Sequence, residues 1–153
     1  MIRWAEFEAR NAELAAVGKE RLFQFGPGLA FLATVRSDGG PRVHPICPVL
    51  AEGGLYFFAV SSSPKLGDLR RDGRYALHCF PPPPEGRDEE FYCTGRVEIV
   101  EDASIRAAAA QAALHKIHDH DICIEFLMDR VLRTTWENWG QPDTFPKHVV
   151  WRA

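Results

Sequence analysis

A chain of 153 residues, 46% apolar and 25% charged, suits one ordinary folded domain and excludes wholesale disorder. With a net charge of −3, no basic face makes nucleic acid the default partner. The charged, amphipathic start Met1-Ile2-Arg3-Trp4-Ala5-Glu6 is not a secretory signal, and no apolar stretch is long enough to span a bilayer. The expectation is a cytoplasmic protein without a membrane partner.

In chain order, Trp4, Phe7, Leu14 and Val17 recur at helical spacing and predict one amphipathic helix over about 3–18, ending near Gly18. A glycine turn at 26–28 leads into the apolar run Leu29–Val35, closed by Ser37-Asp38-Gly39-Gly40. Pro45 and Pro48 mark the next run, Pro41–Leu50, as an edge or bulged strand. Glu52-Gly53-Gly54 turns into Leu55–Val60, so these three strands read as an antiparallel meander.

Pro64–Arg71 fits two turns of helix with Leu66 and Leu69 on one side, and Arg74–Phe80 reads as a strand. The proline-rich and charged stretch 81–89 reads as a loop. Phe91–Val100 alternates well and predicts a long strand, with Gly95 as a bulge or kink. An alanine-rich helix capped by Ser104 runs to about Ile117. Ile122–Thr135 is strand-like, Asn138–Pro146 a loop and His148–Trp151 a last strand. Six to seven short strands with glycine turns and flanking helices predict a mainly β, closed or partly closed antiparallel barrel in a single domain over 1–153. Its barrel core would cover about 29–135 and its tail 136–153.

Two places carry polar residues with a chemical use. Ser63-Pro64-Lys65 is a helix start: serine is a good N-cap and proline suits the first helical position. Lys65 then lies in the first turn, where the helix dipole disfavours a cation, while free backbone N–H groups there favour an anion. Ser61, Ser62, Ser63 and Lys65 could therefore surround a phosphate; an ordinary capped surface helix with a solvated lysine fits the same residues. Arg42 and His44, two apart on a strand, would face one side and make a donor-rich strip. A solvated edge-strand face would look the same.

The series Phe31–Gly39, Pro41-Arg-Val-His-Pro45, Leu55-Tyr-Phe-Phe58, Ser63-Pro64-Lys65 and Leu69-Arg-Arg-Asp72, continued by Tyr92–Val100, resembles the pyridoxamine 5′-phosphate oxidase-like family of flavin-binding split β-barrels over roughly residues 20–135. The resemblance implies a homodimer with flavin mononucleotide (FMN) at the subunit interface. Ser63 and Lys65, with Ser61 and Ser62 nearby, would hold its phosphate. Arg42, Val43, His44 and Ile46 would be the cofactor-facing strand positions, with Phe58 and Ala59 along the flavin. Ala59 stands where a small polar residue is usual, which removes one hydrogen bond. Trp136, Trp139, His148 and Trp151 would be candidates for covering the ring from the partner subunit, Trp139 and Trp151 foremost; structural packing, as in a dimer interface, fits the same tryptophans. The arginine-and-histidine arrangement that holds pyridoxamine phosphate has no match in the tail. The implied activity is therefore another flavin-linked oxidoreduction on an unidentified small molecule. The alternatives are a non-catalytic flavin-binding or storage protein and a deazaflavin-dependent reductase, whose acidic cofactor tail would suit Lys19, Arg21, Arg70, Arg71 and Arg74.

No other constellation identifies a site. His115 and His118 would be neighbours on a helix, with His120 just past its end; imidazoles at a helix C-terminus suit the dipole without a metal, and zinc would need a further ligand. Cys47, Cys79, Cys93 and Cys123 are widely spaced among apolar neighbours and read as free thiols. His78 and Cys79 point to opposite faces of a strand, and no catalytic residue is identified.

Overall fold

The computed structural model describes residues 1–82 and 88–153; part of the loop expected over 81–89 lies outside them. The N-terminal segment forms two helices instead of one, α1 (Trp4–Arg10) and α2 (Ala12–Phe23). The break is at Asn11, whose non-helical backbone (φ −151°, ψ 76°) interrupts the helix while its side chain caps α2 by accepting from the Leu14 N–H at 3.1 Å. Gly18 does not end a helix. It lies inside α2, where a Cβ would come within 2.7 Å of the Phe91 ring and 2.8 Å of the Trp4 ring. Its lack of a side chain lets α2 press onto the sheet.

Among the described residues eight antiparallel strands follow: β1 (Ala30–Val35), β2 (Pro41–Ile46), β3 (Val49–Ala51), β4 (Gly54–Ala59), β5 (Arg74–Cys79), β6 (Glu89–Ile99), β7 (Ile122–Glu137) and β8 (Phe145–Arg152). They are interrupted by α3 (Pro64–Arg71) and α4 (Ala103–Ala112). The strand order is β2-β1-β5-β6-β7-β4-β3, with β8 pairing outside on the long arm of β7.

The expected meander is corrected at Cys47-Pro48. Pro48 supplies no N–H, and the run Pro41–Leu50 divides there into β2 and β3. β2 pairs with β1 and β3 with β4, so the two pieces lie at opposite ends of the hydrogen-bonded order. Because two residues join those ends, the sheet must curl back on itself. Its edges are linked through the chain and not by a ladder, which makes it a split, open barrel.

The interior is filled by Leu32, Leu55, Phe57, Leu77, Phe91, Phe126 and Met128, with Trp4 and Phe7 closing one end. Trp4, 2% exposed, meets Phe7 edge-on with ring centroids 5.6 Å apart. Truncating such a residue to alanine costs about 3–5 kcal/mol. The bulge expected at Gly95 is present: the β6–β7 register shifts between Thr94 and Gly95, and a Cβ on Gly95 would collide with the Leu127 carbonyl oxygen. α4 is capped by Asp102, which accepts from the N–H groups of Ser104 and Ile105, and not by Ser104 itself. It ends at Ala112, so His115 and His118 lie beyond it instead of sharing its surface.

Candidate functional site

Antiparallel pairing sets Thr34 opposite Arg42 and Leu32 opposite His44. Alternation along β1 and β2 then turns all four side chains to the side that α3 covers, while Pro41, Val43 and Pro45 face outward. α3 starts in the chain leaving β4, with Ser63 at its N-cap and Pro64 at its first position. The two elements together make a cradle of Arg42, His44, Ser63, Lys65, Asp68 and Thr34.

Five of its six members are tied to one another by hydrogen bonds. Ser63 is largely buried, and its hydroxyl does not cap α3; it accepts from Lys65 Nζ at 3.0 Å. Asp68, 4% exposed, accepts through Oδ2 from Arg42 Nε at 2.6 Å and from the Thr34 hydroxyl at 2.9 Å. Arg71 lies 3.5 Å from its other oxygen. Burial pushes the Asp68 carboxyl up. The hydrogen bonds from Arg42 and Thr34 and the Arg42 charge outweigh it, leaving Asp68 below its ordinary value. Burial lowers Lys65. Burial, then the positive charges of Lys65 and Arg42, lowers His44, whose Nε2 is shielded from solvent without a partner.

The first turn of α3 contains no acidic residue. A partly desolvated ammonium, an unpartnered imidazole nitrogen and the guanidinium of Arg42 therefore meet near a helix N-terminus. That donor set is short of negative charge and fits a phosphate or similar anion. Among the described residues the only hydrogen bond from Arg42's side chain is through Nε, leaving its terminal nitrogens for a ligand.

The remaining candidates are dispersed. Ser61 and Ser62 are exposed on the approach to α3, and Val43 is 59% exposed on the outer face of β2. Ile46 is buried in the core. Ala59 is buried in the main core, whereas Phe58 faces α4, with the Arg106 guanidinium 5.9 Å from its ring centre. Trp151 packs edge-on against Phe7 at 4.9 Å. Trp139 lies in the β7–β8 turn beside Trp136, with centroids 6.1 Å apart. His148 exchanges a hydrogen bond with the Thr134 hydroxyl at 3.1 Å.

Thr34 and Asp68 are the cradle residues that sequence reasoning missed. Their only sequence signal is Asp68 standing three residues after Lys65, on the helix face that also carries Leu69. From the first half of α4, Arg106 donates to the carbonyls of His118, Asp119 and Asp121, which fixes the histidine loop through its backbone. Among the described residues no three histidine, cysteine or acidic side chains converge as a metal site would need. The four cysteines are free; Cys79, Cys93 and Cys123 are buried and Cys47 is half-buried.

Comparison with known proteins agrees with the split-barrel fold. The family model described as pyridoxamine 5′-phosphate oxidase matches residues 19–150, and the chain belongs to that family. A search of curated protein sequences finds no match. Solved structures share the fold at low identity. A heme-binding protein from Mycobacterium smegmatis superposes with a TM-score of 0.63 at 18% identity, over 86% of this chain and 57% of its own. PhzG from Burkholderia lata 383, solved with tetrahydrophenazine-1-carboxylic acid, gives 0.58 at 15% identity, over 95% and 92%. The heme storage protein HutZ from Vibrio cholerae gives 0.56 at 11% identity, over 93% and 93%.

Proposed function

We propose that this chain is an FMN-binding oxidoreductase of the pyridoxamine 5′-phosphate oxidase-like type, acting in the cytoplasm on a small molecule. The observation that carries the reading is the cradle at the start of α3, where the positive charges of Lys65 and Arg42 both act on His44 and no acidic residue occupies the first helical turn. Lys65 would supply charge to the phosphate, Ser63 would hold the lysine in place, and Arg42 would contribute its terminal N–H groups. When bound, the flavin supplies the hydride or electron transfer, and the protein supplies its binding, orientation and exclusion of water.

The flavin ring would lie at the contact between two copies of the chain. Apolar side chains exposed on the β7–β8 arm support a dimer: Trp139, Phe145, Val149 and Val150 are each at least 45% exposed. Membership of the family supports the flavin, while the two heme proteins of similar fold make heme a competitor to be tested directly. Among the described residues no helix is long and apolar enough to cross a membrane.

The purified protein, incubated separately with FMN, a deazaflavin and heme, should gain melting temperature with FMN above the other two. It should then turn over a reductant and an acceptor faster than free FMN does. A shift with heme alone would replace the flavin reading. A shift with FMN without turnover would leave a flavin-binding or storage protein, and a shift with the deazaflavin alone would leave a reductase of that class.

A further inference from the structure

A carboxylate beside a phosphate cradle opposes anion binding by simple Coulomb repulsion. Asp68 nevertheless stands in this one, buried and tied to β1 through Thr34 and to β2 through Arg42. Both bonds use the same oxygen, Oδ2, and the register places the two donors directly opposite each other. The carboxylate thus connects one helix to one strand pair at the point where Arg42 leaves the sheet.

We propose that Asp68 is a positioning residue for recognition of a phosphate monoester, acting through Arg42. By taking the Nε–H, it holds the guanidinium in one orientation before any ligand arrives and leaves the terminal nitrogens unspent. An arginine side chain free in solvent would lose its rotational freedom on binding; here that loss is met during folding. The proposal rests on the flavin-phosphate reading for the name of the ligand alone, since inorganic phosphate presents the same chemistry.

Repulsion and positioning predict opposite signs. If Asp68 acts only as a charge, Asp68→Asn tightens phosphate binding. If it positions Arg42, the same isosteric change weakens it. The experiment titrates the full-length protein and its Asp68→Asn, Arg42→Gln and doubly substituted variants with inorganic phosphate, FMN and riboflavin. Phosphate binding is followed by amide NMR, and the flavins by fluorescence.

The expected result is a loss of about ten-fold for phosphate and FMN in Asp68→Asn, with riboflavin changed less than about two-fold. The double variant should bind no more weakly than Arg42→Gln alone, because both changes remove one interaction. Unchanged or tighter phosphate binding in Asp68→Asn, or losses that multiply in the double variant, overturns the proposal. Should Asp68→Asn fail to fold, the wild-type Arg42 Nε–H resonance decides: protection from exchange before phosphate is added supports positioning, and free exchange overturns it. Phosphate binding that depends on Asp68 in a protein indifferent to FMN keeps this proposal and removes the flavin.

Discussion

Two buried carboxylates, Asp68 and Glu125, have nearly the same first partner and very different surroundings. Each accepts from the Nε of an arginine at 2.6 Å, Asp68 from Arg42 and Glu125 from Arg3. Around Glu125 the network is closed: Arg3 also donates to the Tyr56 hydroxyl at 2.7 Å and reaches the Glu52 carbonyl. The arrangement fastens the N-terminal segment to β4 and β7, alongside the backbone bridge between Ile2 and Met128. Around Asp68 the network is open, because Arg42 retains its terminal nitrogens among the described residues and stands near Lys65 and His44. A closed ion-pair network serves the fold; one with unspent donors and surplus positive charge serves a ligand.

The difference can be broken from either side. Lys65→Ala should have the largest effect, weakening FMN by about 100-fold through loss of a charge-assisted contact. Its melting temperature should stay close to wild type, as measured by fluorescence titration and thermal melting. Glu125→Gln should do the reverse. It should cost about 1–2 kcal/mol in stability, or about 3–6 °C in Tm, with FMN affinity unchanged. An equal loss of FMN affinity in Glu125→Gln would erase the distinction.

Acid should act on the cradle next. His44 is lowered from its ordinary 6.5, so below that pH the unfolded chain takes up a proton that the folded chain does not. Stability then falls as pH drops from 6.5 toward the folded value. Asp68 is also lowered, from 3.8; its contribution is complete above 3.8 and is lost as pH falls through its folded value. Urea unfolding of wild type and His44→Gln between pH 7 and 5 should show a smaller slope in the variant. The smallest effect belongs to Thr34→Val, which removes one of Asp68's donors. It should cost about 0.5–1.5 kcal/mol and weaken FMN about two- to three-fold.

Much of the fold was legible because local rules decided it. Glycine turns, strand alternation and the Gly95 bulge all depend on residues close in sequence. Some errors are local, at the Asn11 and Asp102 caps, and the others lie where distant partners decided. Cys47-Pro48 reads as an interruption within a strand, but only the whole sheet reveals that its two sides belong to opposite edges. Asp102 and Ser104 are both good capping residues two positions apart, and backbone geometry chose the aspartate. At the cradle, Ser63, Lys65, Arg42 and His44 could be named from helix-start chemistry, period-two spacing and the family resemblance. Asp68 could not, since its value comes from Thr34 and Arg42, 34 and 26 residues away. For the same reason the candidates on β4 and in the tail, Phe58 and Trp151, find their contacts on α4 and α1, elements that spacing along the chain did not connect to them.

The central claim is that the start of α3 receives the phosphate of a flavin. Side-by-side dissociation constants of the wild-type protein for FMN and for riboflavin, which differ only by that phosphate, test it most directly. The account predicts FMN tighter by about ten-fold or more, with the preference shrinking as salt is raised. Equal affinities for the two flavins would contradict it.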